Sequence, residues 1–129
     1  TPGTKATRTQ TITDEMVRTF ATLTGDSNPV HLDEAYAATT RFGKRIAHGM
    51  LAASLISAAL ANDLPGPGTV YLSQTLQFKA PVYLGDAITA VIEVKSARED
   101  KPIATLITTC INQDNVTVLE GEAVVLYSK

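Results

Sequence analysis

The sequence predicts an α+β fold in which one long apolar helix packs against an antiparallel β-sheet. Helix signals dominate before Asn62 and strand signals after Thr69, and the proline- and glycine-rich turn segment Pro65–Gly68 separates the two halves. The segment that begins near Gly49 is apolar nearly all round, which is typical of a helix enclosed on most of its sides. Short turns join the later strands and indicate antiparallel pairing, so we expect a long sheet that wraps the helix.

Three helices are predicted in the first half of the chain. Thr13 is a good N-cap for a first helix whose apolar residues recur at helical spacing, and Gly25 ends that helix. A short second helix is expected at Asp33–Ala38, with the aspartate as its cap. The third and longest helix covers Gly49–Ala61 and carries the apolar surface that the sheet is expected to cover.

Four segments with strand signals follow the long helix, and turn residues separate them. They are Val70–Phe78, Asp86–Lys95, Ile103–Ile111 and Val116–Tyr127. Several positions of the third segment are apolar on both faces of a strand. This pattern indicates a sheet that is covered on one side and partly packed on the other.

The length and charge of the chain limit its organisation and its partners. At 129 residues the chain is within the usual size of one domain, so residues 1–129 are expected to form a single domain with its own core. The formal net charge of -2, with Lys and Arg scattered along the chain, gives no electrostatic reason to expect a nucleic acid as partner. Phosphate groups on a small ligand remain compatible with this charge.

Three features bear on where the protein acts. The longest apolar run, Ile46–Ala61, is interrupted by polar residues and falls short of the roughly 18 apolar residues of a membrane span. The first residues, Thr1–Thr11, are polar and lack the apolar centre of a secretory signal. Cys110 is the sole cysteine, which excludes an internal disulfide and fits a reducing compartment. We therefore expect a cytoplasmic protein with no membrane span.

A carboxylate and an imidazole lie five residues apart, at Asp26 and His31, in a segment expected to form a loop between helices. Pro29 stiffens this segment and restricts Asn28 to extended geometry, so both groups can be aimed at one point. Together they can hold one water molecule, take a proton from it and return a proton elsewhere. The spacing is equally compatible with a structural interpretation, in which Asp26 caps a turn and His31 bonds to a backbone carbonyl.

His48 and Gly49 open the long helix. A glycine at a helix start leaves a bare backbone N–H, and the helix dipole favours negative charge there, as an oxyanion hole requires. The residues alone favour a simpler interpretation, in which Gly49 permits close packing and His48 is structural.

Other chemistries find less support in the residues. Asp33 and Glu34 lie near His31, but without a second well-spaced histidine they make a poor metal site, so we expect no metal. Ser54 and Ser57 lack the sharp glycine-flanked turn that a serine nucleophile needs. Basic residues that could meet carrier phosphates are more typical of solvated charges; they are Lys79, Arg98 and Lys101.

The segment Phe20–His31, FATLTGDSNPVH, followed by His48-Gly49-Met50, resembles the hydratase-2 signature of the MaoC-like dehydratases. The similarity extends over nearly the whole chain and is greatest to the short (R)-specific enoyl-CoA hydratases that supply monomers for polyhydroxyalkanoate synthesis. The further matching segments are Leu64-Pro65-Gly66, Tyr71–Gln74, Phe78–Val82 and Arg98–Ala104.

This resemblance implies a hot-dog fold, a curved antiparallel sheet wrapped around a long helix, which agrees with the layout inferred from the residue patterns. It implies reversible hydration of a trans-2-enoyl-CoA to an (R)-3-hydroxyacyl-CoA, without a cofactor. Asp26 and His31 would activate the water that attacks C3, and one of them would protonate C2. The N–H of Gly49 would receive the charge that develops on the thioester oxygen.

The resemblance also implies further substrate contacts and a homodimer. Asn28 would hold the catalytic loop or a neighbouring hydrogen bond at the substrate site. Ser57, Leu60 and Val125 match positions that line the acyl pocket of similar hydratases, and their moderate bulk favours short acyl groups of roughly C4 to C6. Edge-to-edge joining of two sheets would cover an otherwise exposed strand.

Three rival functions keep the hot-dog fold but differ in the carrier of the thioester, in the reaction or in whether catalysis occurs at all. A (3R)-hydroxyacyl carrier-protein dehydratase would run the same reaction on a protein-borne thioester, although the near-balanced charge favours CoA over an acidic carrier protein. A thioesterase would need water at the carbonyl carbon and fits the Asp26 and His31 pair less well. A non-catalytic hot-dog protein that binds acyl groups is the alternative outside the enzymes, and the intact acid-base pair argues against it.

Overall fold

An antiparallel β-sheet packed against one long helix forms the framework of the molecule. The computed structural model describes residues 1–128. Among these residues the strands are β1 (Lys5–Thr11), β2 (Val70–Gln74), β3 (Gln77–Phe78), β4 (Ala87–Ala97), β5 (Ile103–Ile111) and β6 (Thr117–Leu126). The strand order is β1-β4-β5-β6-β2, and β3 pairs with β6 beside β2. Each pairing is antiparallel, as the short turns between the later strands predicted.

The helices all lie in the first half of the chain, as predicted. They are α1 (Asp14–Thr24), α2 (Pro29–Leu32), α3 (Glu34–Ala38) and α4 (Gly49–Asn62). The Thr13 side chain caps α1 by accepting a hydrogen bond from the N–H of Met16 at 3.2 Å. Gly25 ends α1 in the left-handed conformation, with φ of 82°, where a side chain would be strained. Asp33 caps α3 through the N–H of Tyr36.

Helix α4 provides much of the hydrophobic core. Its buried side chains face β4 and β5, and Ala52, Ile56 and Ala59 are fully buried. The helix is less enclosed than its composition indicated, because Met50, Ser54, Ser57 and Ala61 form an exposed stripe along one face. These positions recur at helical spacing, so in a single chain one side of α4 stays open to solvent.

The structure corrects two predictions about the strands. Strand β1, at Lys5–Thr11, was not among the predicted strands, because the sequence was described there only as polar, yet it pairs with β4 along its whole length. The predicted strand Val70–Phe78 is broken into β2 and β3, because the Thr75 main chain lies over Gly121 of β6. A Cβ at Gly121 would collide with Thr75, so the glycine permits this close approach.

None of the helices formed by the described residues has the length and apolar character needed to cross a membrane.

Candidate active site

A loop between α1 and α2 carries Asp26. Its carboxylate oxygen Oδ1 accepts a hydrogen bond from the N–H of Asn28 at 3.3 Å. The Asn28 side chain in turn accepts from the N–H of Val30 at 3.1 Å and so caps α2. Asn28 thus holds the shape of the loop, whereas its contact with substrate stays a prediction.

His31 belongs to the short helix α2, whereas the sequence placed it on the loop. Its Nδ1 lies 2.7 Å from the main-chain oxygen of Ile46, and a carbonyl oxygen only accepts. The proton therefore sits on Nδ1, which leaves the lone pair on Nε2. Burial lowers the pKa of His31 below its usual value, against the raising effects of the Ile46 carbonyl and of Asp26. A neutral imidazole with a free lone pair can accept a proton near neutral pH.

Arg45 is a buried charge that the sequence reasoning missed. Its side chain is 7% exposed, and its Nε donates to the main-chain oxygen of His31 at 2.6 Å. Its terminal nitrogen also bonds to Asp14 at 2.7 Å, and this bond holds the pKa of the Asp14 carboxyl below its usual value. Arg45 thus connects the backbone of α2 to the first turn of α1.

His48 lies between the two predicted catalytic residues. Its Nε2–H donates to the main-chain oxygen of Asp26 at 3.0 Å. Its ring packs on the ring of His31, with centroids 4.0 Å apart and planes inclined by 31°. The ring of Phe20 contacts it at 4.8 Å. His48 therefore contacts both members of the predicted acid-base pair.

The structure brings Asp26, His31 and His48 together. A carboxylate oxygen and one ring nitrogen from each histidine all lie within 4.8 Å of one another. Two hydrogen bonds of about 2.8 Å each span such a gap, so one water molecule can bridge Asp26 and His31. The two rings face each other with their planes inclined by 31°, and this arrangement does not favour convergence of their in-plane lone pairs on one metal ion.

Gly49 is the first residue of α4, so its N–H has no acceptor within the helix. The packing interpretation of this glycine also has a physical basis. An added Cβ would lie 2.8 Å from Cε1 of Phe78, which is too close for a real contact. The Gly49 position thus combines a free backbone donor with a close approach by an aromatic ring.

Two cavities flank the start of α4. One, of about 360 Å³, is lined by His31 and Gly49 and also by Arg41 and Lys79. The other, of about 560 Å³, is lined by Ser57 together with apolar residues of α4 and β2. The remaining residues predicted for the acyl pocket, Leu60 and Val125, are buried in the core and line neither cavity. Their role in the pocket stays a prediction.

Sequence reasoning singled out His48 as structural and did not mention Arg45. The sequence alone does not show which atoms the side chain of a histidine or an arginine beside an apolar helix will bond to. One signal was available for Arg45, since it directly precedes the apolar pair Ile46-Ala47 and so stands at the edge of a buried segment.

A comparison with protein families decides the membership of the chain. The sequence model of the family described as the MaoC-like domain matches residues 1–115. The chain belongs to the MaoC-like family. The family predicted from the FATLTGDSNPVH segment is therefore confirmed.

Individual relatives agree with this assignment. An (R)-specific enoyl-CoA hydratase of Aeromonas caviae is 55% identical over 109 residues, which cover 84% of this MaoC-like chain and 81% of the relative. A mitochondrial 3-hydroxyacyl-[acyl-carrier-protein] dehydratase of Solanum lycopersicum is 42% identical, with 88% and 69% covered.

Among solved structures, an (R)-hydratase from A. caviae involved in PHA biosynthesis superimposes with a TM-score of 0.97. It is 49% identical, and the match covers 99% of this chain and 97% of that structure. The hot-dog fold predicted for this MaoC-like chain is confirmed.

Proposed function

We propose that this MaoC-like protein adds water to the double bond of a trans-2-enoyl-CoA and forms the (R)-3-hydroxyacyl-CoA. One observation carries the proposal: a carboxylate oxygen of Asp26 and a ring nitrogen of His31 lie within one water's span of each other, and His31 lines the same cavity as Gly49. The identity to (R)-specific enoyl-CoA hydratases supports it.

The acid-base step follows from the tautomer of His31. With its proton on Nδ1, the ring accepts one hydrogen of the water at Nε2, while the Asp26 carboxylate accepts the other. The water oxygen then attacks C3 as the pair takes one of its protons. A proton returns from the pair to C2, on the same side of the substrate, which restores the resting site.

Charge develops on the thioester oxygen during this attack. The electrons of the C2–C3 π bond move towards the carbonyl as the new C3–O bond forms. The N–H of Gly49 at the start of α4, supported by the helix dipole, stabilises this oxygen. One water and one enoyl thioester balance the reaction, and each proposed step is carried out by residues of this chain.

The cavity beside His31 has basic residues suited to a phosphorylated carrier. Arg41 and Lys79 line it, and Lys79 also pairs with Glu120 at 3.5 Å, while Arg98 pairs with Asp100 on the surface. A CoA thioester would place its phosphates near these cations. The carrier-protein dehydratase of S. lycopersicum keeps the alternative open, in which the same cations meet an acidic carrier protein.

We place the acyl chain in the space around α4, because the resemblance to short-chain hydratases implies that Ser57, Leu60 and Val125 line the acyl pocket. Ser57 opens onto the 560 Å³ cavity, and the two buried residues lie deeper in the core. This arrangement favours short acyl groups of roughly C4 to C6, which a series of enoyl-CoA substrates of increasing length would test. Such products would supply monomers for polyhydroxyalkanoate synthesis in the cytoplasm.

A second copy of the chain is the proposed partner. Strand β2 is at the edge of the sheet, and its apolar side chains Val70, Tyr71 and Leu72 are exposed, with Leu72 at 52%. An unpaired edge with apolar side chains favours pairing with the same edge of another protomer. Light scattering should report a dimer, and Leu72→Asp should shift it to a monomer; a monomeric wild type would reject this homodimer.

The first test follows the absorbance of the enoyl-thioester band with crotonyl-CoA. Wild type should remove the band, whereas Asp26→Asn and His31→Gln should lose about 100- to 10,000-fold in kcat while remaining folded at the assay temperature. Crotonyl carrier protein as a parallel substrate separates the dehydratase from the CoA enzyme. No activity on either substrate, combined with saturable binding of acyl-CoA, would identify a non-catalytic acyl-binding protein instead.

A further inference from the structure

His48 is deeply buried, with 2% of its surface exposed, and the mechanism above gives it no step. Its contacts nevertheless fall on the acid-base pair. The Nε2–H donates to the main chain of Asp26, and one ring face packs on His31. The same side chain therefore fixes the positions of two residues that are five apart in the sequence and belong to different local structures.

The hydrogen-bond pattern of His48 is costly for a residue that only fills space. Because Nε2 donates to a carbonyl, Nδ1 carries the lone pair in the neutral ring. Nδ1 is buried without a hydrogen-bond partner among the described residues. Leaving a buried polar atom unpaired destabilises the folded state, and an apolar ring of the same shape would avoid that cost.

We propose that His48 is a positioning residue that sets the distance between Asp26 and His31, by holding the Asp26 carbonyl through Nε2–H and by supporting the His31 ring through its face. The inference rests on the proposed hydratase function of that pair. A small displacement of either group would lengthen one of the two hydrogen bonds to the water. Catalysis that depends on such geometry loses rate while substrate binding is preserved.

Two substitutions of His48 test its contact with the Asp26 carbonyl and its contact with the His31 ring one at a time. His48→Phe keeps a ring against His31 and removes the donor, whereas His48→Gln keeps an N–H donor and removes the ring. Each should lower kcat about 10- to 100-fold on crotonyl-CoA, with KM within about threefold of wild type. In an Asp26→Asn background the His48 substitutions should lower kcat no further, because they act through the pair.

The pH profile provides a readout that a merely structural role would not change. Burial has the largest effect on the pKa of His31 and lowers it, whereas the Ile46 carbonyl and Asp26 raise it, and His48 lowers it when its own ring is charged. The Arg45 guanidinium also faces α2, through its bond to the His31 carbonyl. In His48→Phe the ring still shields His31 from water, but the electrostatic contribution of His48 is gone. The acid limb of kcat should therefore move to higher pH.

Ile92→Ala is the matched control, because it opens a cavity at a fully buried position of β4 and removes no contact with the pair. It should lower the melting temperature at least as much as the His48 variants and keep the wild-type kcat and pH profile. Nitrogen NMR of wild type adds a test without substitution, in which His48 should carry its proton on Nε2 and His31 on Nδ1.

Folded His48 variants with wild-type kcat and pH profile would overturn the inference. A loss of kcat in Ile92→Ala as large as that in His48 variants of similar melting temperature would also overturn it. So would a wild-type spectrum in which the His48 proton is on Nδ1. Failure of the proposed function is a different result, since it shows as a wild-type protein inactive on both crotonyl thioesters.

Discussion

The core between α4 and the sheet and the segment from Gly25 to Gly49 are stabilised in different ways. The core consists of aliphatic side chains from α4 and strands β4 to β6. The segment carries three of the four buried polar or charged side chains among the described residues, namely His31, Arg45 and His48. Each of these three bonds to a main-chain oxygen.

This difference determines which substitutions affect stability alone and which also affect the site. An aliphatic core loses stability when a side chain is shortened, but its neighbours can partly relax into the space. A buried polar group has a fixed partner, and removing the group leaves that partner unpaired. We therefore expect core substitutions to change stability alone, and substitutions in the segment to change the geometry of the site as well. The predictions below are ordered by their expected effect on kcat.

Gly49→Ala should have the largest effect, a loss of about 100-fold in kcat. The added methyl group projects towards Phe78, next to the N–H proposed to bind the thioester oxygen. The double variant Gly49→Ala/Phe78→Ala relieves the contact and should stay within about threefold of the single variant. Full recovery in the double variant would show that Gly49 serves packing only.

Arg45→Met should lower kcat about tenfold and reduce the free energy of unfolding by about 3 kcal/mol, because the His31 carbonyl and the Asp14 carboxylate lose a buried partner. Chemical denaturation and crotonyl-CoA kinetics measure the two effects. Arg18→Gln is the control, since Arg18 also bonds Asp14 but lies on the surface, and it should change stability by less than about 1 kcal/mol. Equal effects of the two variants would contradict the prediction.

The pH dependence tests the state of His31. A lowered folded-state pKa means that the unfolded chain binds the proton first as pH falls. The stability contribution of His31 is thus present above the unfolded value of about 6.5 and is lost below it, towards the folded pKa. The acid limb of kcat/KM should have its midpoint below pH of about 6.5, as a rate profile will measure. A midpoint above neutrality would reject neutral His31 as the proton acceptor.

Leu106→Ala should have the smallest effect on rate. Leu106 is fully buried in β5 and lines neither cavity at the start of α4. The substitution should reduce the free energy of unfolding by about 2–5 kcal/mol while kcat at a permissive temperature stays unchanged. A matching loss of kcat would show that the core and the segment are mechanically coupled.

The sequence predicted the core better than the connections. Alternating apolar residues identified β4, β5 and β6 within a residue or two, because one side of each strand is buried. Strand β1 has no such pattern, since its residues are mostly exposed and it pairs with β4 mainly through backbone groups, which every residue carries. The break between β2 and β3 depends on Gly121, which lies more than forty residues away in the chain.

The candidate active site likewise contains features that the sequence predicted and features that it did not. Asp26, His31 and Gly49 were predicted as site residues through the resemblance of their segments to the hydratase-2 signature, since residue type and spacing alone left structural interpretations open. The bonds from His48 to the Asp26 carbonyl and from Arg45 to the His31 carbonyl connect residues distant in sequence. A main-chain acceptor is present at every position, so no residue pattern marks it in advance.

The groups that hold Asp26 and His31 in place are therefore distinct from the groups that are proposed to react. His48, Arg45 and the Ile46 carbonyl hold the pair through backbone atoms or a ring nitrogen remote from the reacting water. The side chain at position 26 is free of these restraints, apart from one hydrogen bond to the loop. A different acid or nucleophile could be introduced there without releasing the loop, which makes this position the natural starting point for redesigning the reaction.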